Sequence, residues 1–203
     1  MGRHTGPKEK LSRREGVNLY LKGARSFSDK AGIIRKPFPP GQHGNKRRAR
    51  LSNYGFQLRE KQKVKRTYGL REKKMKIVYK EADRRSKLYN TDKGLELLRI
   101  LELRLDNVIY LAGLASSRAS ARQYVTHGHV KLNGEKMTIP SLEVKEGDTI
   151  ELIKAKLAPS SKLFETPDWI ETKGVSCKIV RLPVRDDMDE GIKENLIIEF
   201  YSR

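Results

Sequence analysis

The chain has 203 residues, of which 44 are Lys or Arg and 25 are Asp or Glu, so its formal net charge is +19. The length allows one or two small domains, and the charge indicates a polyanionic partner, with nucleic acid favoured over an anionic membrane surface. Neither a membrane-spanning segment nor a signal peptide is expected, because the apolar runs are short and the start MGRHTGPKEK lacks an apolar centre.

The positive charge is confined to one part of the chain. Residues 1–80 hold 24 basic and 5 acidic residues, whereas residues 81–203 hold 20 of each. A soluble surface mixes the two signs, and a segregated basic block is typical of a protein that binds phosphates. A disordered basic tail is the alternative, since runs of like charge often form tails.

Residues 1–50 predict a basic, irregular amino-terminal arm that becomes ordered on its ligand. Gly and Pro recur throughout this segment, and the run KPFPPGQHG predicts a rigid loop rich in turns, because proline fixes φ.

Residues 51–94 predict a helical domain. Its first helix starts after Ser52, a candidate N-cap, and ends at Gly69, and its second runs from about Leu70 to Arg85.

Residues 95–154 predict a small domain with two helices followed by an antiparallel sheet. One apolar helical stripe runs from Leu97 to Ile109 and stops near Gly113. A second helix follows from Arg118 to about Thr126, and Asn133-Gly134 is a strong hairpin signal before the strand TIELI.

Residues 155–203 predict a carboxy-terminal segment that packs back on the body. The segment from Ala155 to Phe164 favours a helix, and the sequence around Lys173-Gly174 favours a hairpin. The apolar run from Asn195 to Tyr201 is compatible with a strand or a helix end. The fold class is therefore α+β: an irregular arm, a helical domain, and a small helix-helix-sheet domain.

The strongest local signal for binding is the stretch SRASARQYVTHGHVKLNG. Arg118 and Arg122 are four residues apart and share a helix face, and His129, Lys131 and Lys136 can extend that surface across the hairpin. Duplex RNA is recognised largely by its shape, phosphates and 2′-hydroxyls, which suits such a surface. An ordinary amphipathic helix and hairpin is the alternative interpretation.

This stretch, together with LELRLDNVIYLAG before it and EGDTIEL after it, closely resembles the S4 RNA-binding domain. Similar domains are appended to some pseudouridine synthases, some tyrosyl-tRNA synthetases and a small heat-shock RNA-binding protein. The flanking segments GRHTGPK, LSRREGVNLYLKG, PPGQHG, LSNYGFQLREKQKVKRTYGL and IIEFYSR are similar to the S4 family of small-subunit ribosomal proteins of bacterial type. That resemblance covers essentially the whole chain.

The resemblance implies a ribosomal protein of the cytoplasm that binds small-subunit ribosomal RNA (rRNA) at a multi-helix junction in the 5′ domain. It further implies early assembly of the subunit body, ribosomal protein S5 as a neighbour, and a part in decoding accuracy. A basic cluster near the mRNA entry channel matches Lys46, Arg47, Arg48 and Arg50. The expected rRNA-binding residues are Arg3, Lys10, Arg13, Arg14, His43, Arg59, Lys61, Lys63, Lys65, Arg66, Arg118, Arg122, Gln123, His127, His129, Lys131, Asn133 and Lys136.

One departure from that family concerns zinc. Many relatives bind zinc through four arm cysteines, and the matching positions here are Glu9, Ser12, Ser26 and Ala31. None of these can act as a thiolate, so neither a metal nor another cofactor is expected. The one cysteine of the chain, Cys177, also excludes an internal disulfide.

Two other functions remain as alternatives. An RNA-modifying enzyme is suggested by Arg104-Leu105-Asp106, which is similar to a catalytic motif of some pseudouridine synthases, and by His127 and His129 as acid–base residues. Against it, no synthase-sized domain surrounds Asp106, which is expected to be exposed or to pair with a nearby Arg. A free RNA chaperone or assembly factor would share the basic domain, but a long basic arm is typical of permanent ribosomal components.

Overall fold

The computed structural model of the chain describes residues 4–46, 50–159 and 163–202. They divide into two compact units. Unit 1 comprises Met1–Gly94 together with Glu190–Arg203, and unit 2 comprises Leu95–Asp189. The division between residues 94 and 95 falls where the sequence analysis placed a boundary, whereas the carboxy-terminal segment 155–203 is shared between the two units.

The arm of unit 1 contains short helices. Its elements are helix α1 (Lys8–Glu15), a 3₁₀ turn (Gly23–Phe27) and helix α2 (Gly32–Arg35). Arg13 ties this arm to the proline-rich loop, because its Nε donates to the carbonyls of Lys36 at 3.1 Å and Phe38 at 3.0 Å. Part of the arm is thus ordered by its own side chains.

The four positions that match the zinc cysteines of relatives take part in local contacts of the arm. Glu9 Oε2 accepts a hydrogen bond from the Gly32 amide at 2.7 Å. Ser12 and Ser26 are buried and accept from the amides of Leu19 and Lys22, at 3.4 and 3.0 Å. Ala31 is also buried. Ordinary hydrogen bonds and packing therefore occupy these positions.

The helical part of unit 1 consists of three helices: α3 (Asn53–Thr67), α4 (Glu72–Tyr89) and α8 (Glu194–Tyr201). Ser52 caps α3 as predicted, because its side chain accepts from the Gly55 amide at 3.2 Å. Helix α4 buries Met75, Val78 and Ala82, and it ends four residues later than predicted. The open choice between strand and helix near the carboxy terminus is resolved as a helix, α8, which packs on α3.

Unit 2 is built from helices α6 (Leu105–Leu111) and α7 (Arg118–Thr126), a five-stranded antiparallel sheet, and most of helix α5 (Lys93–Glu102). The single apolar stripe predicted from Leu97 to Ile109 is broken between α5 and α6. Arg104 forms a β-bridge with Glu143, and the Val144 amide donates to the carbonyl of Leu103 at 2.9 Å. This pairing holds the chain in an extended conformation and separates the two helices.

The sheet has the strand order β2-β1-β3-β5-β4. Its strands are β1 (Val130–Leu132), β2 (Glu135–Met137), β3 (Thr149–Leu152), β4 (Ile170–Lys173) and β5 (Ser176–Ile179). Asn133 and Gly134 both have positive φ and form the predicted β1–β2 turn. The helix predicted from Ala155 to Phe164 is only a 3₁₀ turn at Ala155–Leu157 in the part of that segment that the structure describes.

The β4–β5 hairpin belongs to the same core as the first three strands. Ile150 of β3 pairs with Cys177 of β5, and both side chains are buried. Trp169 and Ile179 are buried in the same cluster as Val108 of α6. The α+β fold class is confirmed. The sheet extends beyond residue 154, the expected end of the small domain, because β5 adds the buried side chains of Cys177 and Ile179 to the core.

Asp106 lies within unit 2 as the partner of a buried arginine. Its carboxylate accepts from Arg104 Nε at 3.0 Å and from Arg104 Nη2 at 2.8 Å. Both side chains are at most 6% exposed. Of the two expectations for Asp106, pairing with a nearby Arg is confirmed and exposure is wrong.

Replacing Asp106 with Ala should lower the free energy of unfolding of unit 2 by about 3–5 kcal/mol, because it leaves the Arg104 guanidinium buried and unpaired. Urea unfolding followed by fluorescence of Trp169, the one tryptophan, measures this change. Asp186→Ala, at an exposed position of the same unit, is the control. Equal stabilities of the two variants would contradict the prediction.

Candidate nucleic-acid interface

Basic side chains of α3 converge on a carboxylate from the arm. Glu15 at the end of α1 is almost fully buried and forms ion pairs with Arg59, at 3.3 Å, and with Arg66. Burial raises the pKa of Glu15, and the positive charges of Arg66 and Arg59 oppose that rise. These two arginines thus fasten α1 to α3 within unit 1.

A second carboxylate, Glu72 at the start of α4, pairs with lysines on the other side of α3. It accepts hydrogen bonds from Lys61 at 2.8 Å, Lys65 at 3.0 Å and the Tyr201 hydroxyl at 2.9 Å. Burial raises the pKa of Glu72, but the hydrogen bonds from Lys61, Lys65 and Tyr201 outweigh it and lower the pKa to about 2. Helices α3, α4 and α8 therefore meet at one ionised carboxylate.

The remaining predicted cation of α3, Lys63, also has partners inside unit 1. Its Nζ lies 2.8 Å from Glu60 and donates to the carbonyl of Gly191. The expected rRNA-binding residues Arg59, Lys61, Lys63, Lys65 and Arg66 are therefore engaged with carboxylates of their own unit, and Lys61 is only 4% exposed. Their contacts assign them a part in holding unit 1 together, which the sequence analysis did not foresee.

Helix α4 presents a row of lysines that sequence reasoning did not single out. Lys73, Lys76 and Lys80 are exposed, and their spacing places them on the side opposite the buried Met75 and Val78. Within the described ranges, no carboxylate pairs with any of the three. The sequence already indicates a basic outer face for this helix, because these lysines are spaced against its apolar stripe, although none of the three is among the expected rRNA-binding residues.

The arm contributes further exposed cations around a cleft of about 340 Å³. Arg14, His43 and Lys46 line this cleft together with the loop Pro39–Gly44, and Lys10 is exposed one helical turn before Arg14. Gly44 cannot carry a side chain there, because a Cβ would lie 1.9 Å from the Pro39 carbonyl oxygen. The loop backbone therefore lies beside two cationic side chains, Arg14 and Lys46, and the imidazole of His43.

Other predicted arm residues are placed differently. Arg13 is used internally, with its guanidinium 5.0 Å from the centre of the Phe38 ring. Arg50 is exposed. Arg3, Arg47 and Arg48 lie outside the residues that the structure describes.

In unit 2, Arg118 and Arg122 share one face of α7 but bind protein groups. Arg118 Nε donates to Asn107 Oδ1 at 2.7 Å, and its guanidinium lies 4.5 Å from the centre of the Tyr110 ring. Arg122 Nη1 lies 3.8 Å from Asp106, and burial lowers the pKa of Arg122 while Asp106 opposes that shift. Both side chains are half-buried, and their contact with rRNA stays a prediction.

The residues that follow form a more open group at the end of α7 and along the β1–β2 hairpin. Gln123 and His127 are exposed, and the ring centres of His127 and His129 are 6.1 Å apart. Lys131 and Lys136 are cross-strand partners. Asn133 instead stabilises the turn, because it donates to Asp148 at 2.8 Å and accepts from the Thr149 amide.

Asp106, a residue suggested for an enzyme, is held by Arg104. The one cysteine, Cys177, is buried, and burial raises the pKa of its thiol to about 12. Among residues 4–46, 50–159 and 163–202, no group of three or more His, Cys, Asp or Glu side chains could hold a metal ion. In the same ranges, no helix is both long and apolar enough to cross a bilayer.

A small helix-helix-sheet domain, joined in sequence to a strongly basic helical unit, is the arrangement of an RNA-binding protein. Comparison with known proteins agrees. Residues 3–102 match the family model of the ribosomal protein S4/S9 N-terminal domain, and residues 103–150 match that of the S4 domain. The "Small ribosomal subunit protein uS4" of Clostridioides difficile is 49% identical over the whole of both chains.

The proteins of the same name from Natranaerobius thermophilus and from a Thermoanaerobacter species are 43% and 46% identical to this chain, again over the whole of both chains. The chain belongs to the uS4 family of small ribosomal subunit proteins. The resemblance predicted from the sequence is therefore confirmed. Because this family consists of structural ribosomal proteins, the expectation that the chain is not an enzyme is confirmed as well.

The Glu72 site should make unit 1 sensitive to acid. Its folded pKa of about 2 lies below the ordinary value of 4.5, so its contribution to stability is complete above about pH 4.5 and is lost as the pH falls towards 2. Urea unfolding followed by circular dichroism across this range should show a steeper loss for the native chain than for Glu72→Gln. Glu190→Gln, an exposed site of unit 1, serves as the control and should follow the native curve.

Proposed function

We propose that the chain is a permanent structural component of the small ribosomal subunit and binds its rRNA directly, at a multi-helix junction in the 5′ domain. The observation that carries this proposal is the row of Lys73, Lys76 and Lys80, exposed opposite the buried face of α4. Membership of the uS4 family supports the ribosomal location, which in bacteria is the cytoplasm.

Binding proceeds through phosphate neutralisation. The lysine row of α4 supplies point charges, and Arg14 supplies a guanidinium that can bind a phosphate through two hydrogen bonds. Each neutralised phosphate releases counterions, so the affinity falls steeply with salt. Unit 2 contributes a smaller surface through His127, His129 and Lys136.

The same family membership supports three finer proposals. The protein binds early and nucleates assembly of the subunit body, since unit 1 folds around its own carboxylates and offers exposed cations such as Lys10 and Arg14. It neighbours ribosomal protein S5 and contributes to decoding accuracy. Lys46, Arg47, Arg48 and Arg50 contact mRNA near the entry channel, and Lys46 and Arg50 are exposed as this requires.

Co-sedimentation tests the structural role. The tagged chain should remain on small subunits and on whole ribosomes, at one copy each, after a high-salt wash of sucrose-gradient fractions. A free RNA chaperone or assembly factor would instead leave with the wash or appear only on immature particles. Either of those patterns would overturn the proposal.

The mRNA cluster is tested by changing Lys46, Arg47, Arg48 and Arg50 together to Gln. Translation of an mRNA with a stable hairpin should fall several-fold relative to an unstructured mRNA, because fewer cations contact the incoming strand. The affinity for the rRNA fragment should change less. The control changes four exposed lysines of unit 2 to Gln: Lys145, Lys154, Lys156 and Lys178. Equal defects in the two variants would refute the assignment.

A further inference from the structure

Unit 1 contains a second cleft, of about 350 Å³, between α4 and α8. Its lining is mixed: two lysines, Lys76 and Lys80, and three aromatic rings, Tyr79, Phe200 and Tyr201. The ring centres of Tyr79 and Tyr201 are 4.8 Å apart, and Phe200 meets Tyr201 edge to face at 5.3 Å. The three rings thus form one aromatic wall.

The aromatic wall is fixed in place by polar contacts at its edges. The Tyr201 hydroxyl donates to Glu72, and the Tyr79 hydroxyl accepts from Lys93 Nζ at 2.8 Å. Both hydroxyls therefore have partners within unit 1. Two of the rings also contact lysines of unit 1, because Lys61 Nζ lies 4.2 Å from the centre of the Phe200 ring and Lys93 Nζ lies 4.3 Å from that of Tyr79. A ligand in the cleft therefore meets the remaining ring surface that lines it.

The charge of the cleft is positive. Lys76 and Lys80 are exposed one helical turn apart, and neither has a carboxylate partner in the described part of the chain. The nearest carboxylates along α4 are already neutralised: Glu72 by Lys61 and Lys65, Glu81 by Arg84 and Arg85, and Asp83 by Lys87 and Lys93. An anionic ligand therefore meets no nearby unpaired carboxylate on this helix.

We propose that this cleft binds an unpaired nucleotide of rRNA, whose base packs on the aromatic wall while Lys76 and Lys80 hold the adjoining phosphates. The proposal rests on the proposed function, since it names a site within the rRNA contact. Planar rings beside cations without a carboxylate partner match a nucleotide, because every base has a face that can stack on a ring and every phosphodiester linkage carries a negative charge. With both tyrosine hydroxyls occupied, the rings read no base edge, so the site accepts any of the four bases.

The test uses the full chain and two probes. One is a ten-nucleotide oligouridylate with a central 2-aminopurine, whose fluorescence falls when the base stacks, and the other is a strand of ten abasic residues, which keeps the phosphates and has no base to stack. At low salt, saturating protein should quench the 2-aminopurine and bind the abasic strand about tenfold more weakly. Replacing the bases beside 2-aminopurine with other bases should change the quenching and the affinity little.

Variants locate the effect. Tyr79→Leu and Phe200→Leu each remove a ring and should lose most of the quenching, whereas Tyr79→Phe keeps the ring and should retain it. Tyr89→Leu, an exposed aromatic of the same helix outside the cleft, is the matched control and should behave as the native chain. Circular dichroism establishes that each variant is folded.

Substitution of the two exposed lysines gives a second, independent test that does not alter packing. The double variant Lys76→Gln, Lys80→Gln should reduce the magnitude of the slope of log affinity against log salt concentration by about 1.4, the value for two phosphates of a single strand. Quenching that survives loss of either ring, or an unchanged salt slope, would overturn the cleft. If the native chain binds the rRNA fragment while the cleft variants match it in every assay, only this inference fails; if the native chain does not bind the fragment, the proposed function fails.

Discussion

The carboxylate of Glu72 accepts hydrogen bonds from Lys61, Lys65 and Tyr201, and in doing so it joins α3, α4 and α8 at one point. Residues 1–80 contain only five acidic residues to set against 24 basic ones. Four of the five, all glutamates, accept contacts from cations of unit 1: Glu9, Glu15, Glu60 and Glu72. A chain of this charge folds because its few carboxylates are placed where cations would otherwise repel one another.

This arrangement divides the basic residues into two groups. Those on α3 neutralise the internal carboxylates and hold the helices, whereas those on the outer side of α4, together with Lys10, Arg14 and Lys46 of the arm, remain exposed to an external anion. The division follows from position: a lysine opposite a buried apolar face cannot reach the interior. Unit 2 repeats the principle on a smaller scale, since Arg104 and Arg122 surround Asp106.

Local signals in the sequence predicted local structure well. The cap at Ser52, the turn at Asn133-Gly134 and the α+β class depend on neighbouring residues and appear as expected. Contacts between distant residues were not predictable: Glu15 meets Arg66 across 51 positions, and Arg104 pairs with Glu143 and so interrupts a continuous apolar stripe. The internal ion pairs of the α3 cations were not predictable either, because their partners Glu15 and Glu72 become neighbours only in the folded chain. The sequence analysis therefore expected these cations to bind rRNA.

Lysine acetylation followed by mass spectrometry, with and without the 5′-domain rRNA fragment, tests this division most directly. Lys61 and Lys65 should react slowly in both states, because Glu72 already holds them. Lys73, Lys76 and Lys80 should react quickly in the free protein and become protected in the complex. The account would be contradicted if the α3 lysines gained protection from RNA while the three α4 lysines stayed equally reactive.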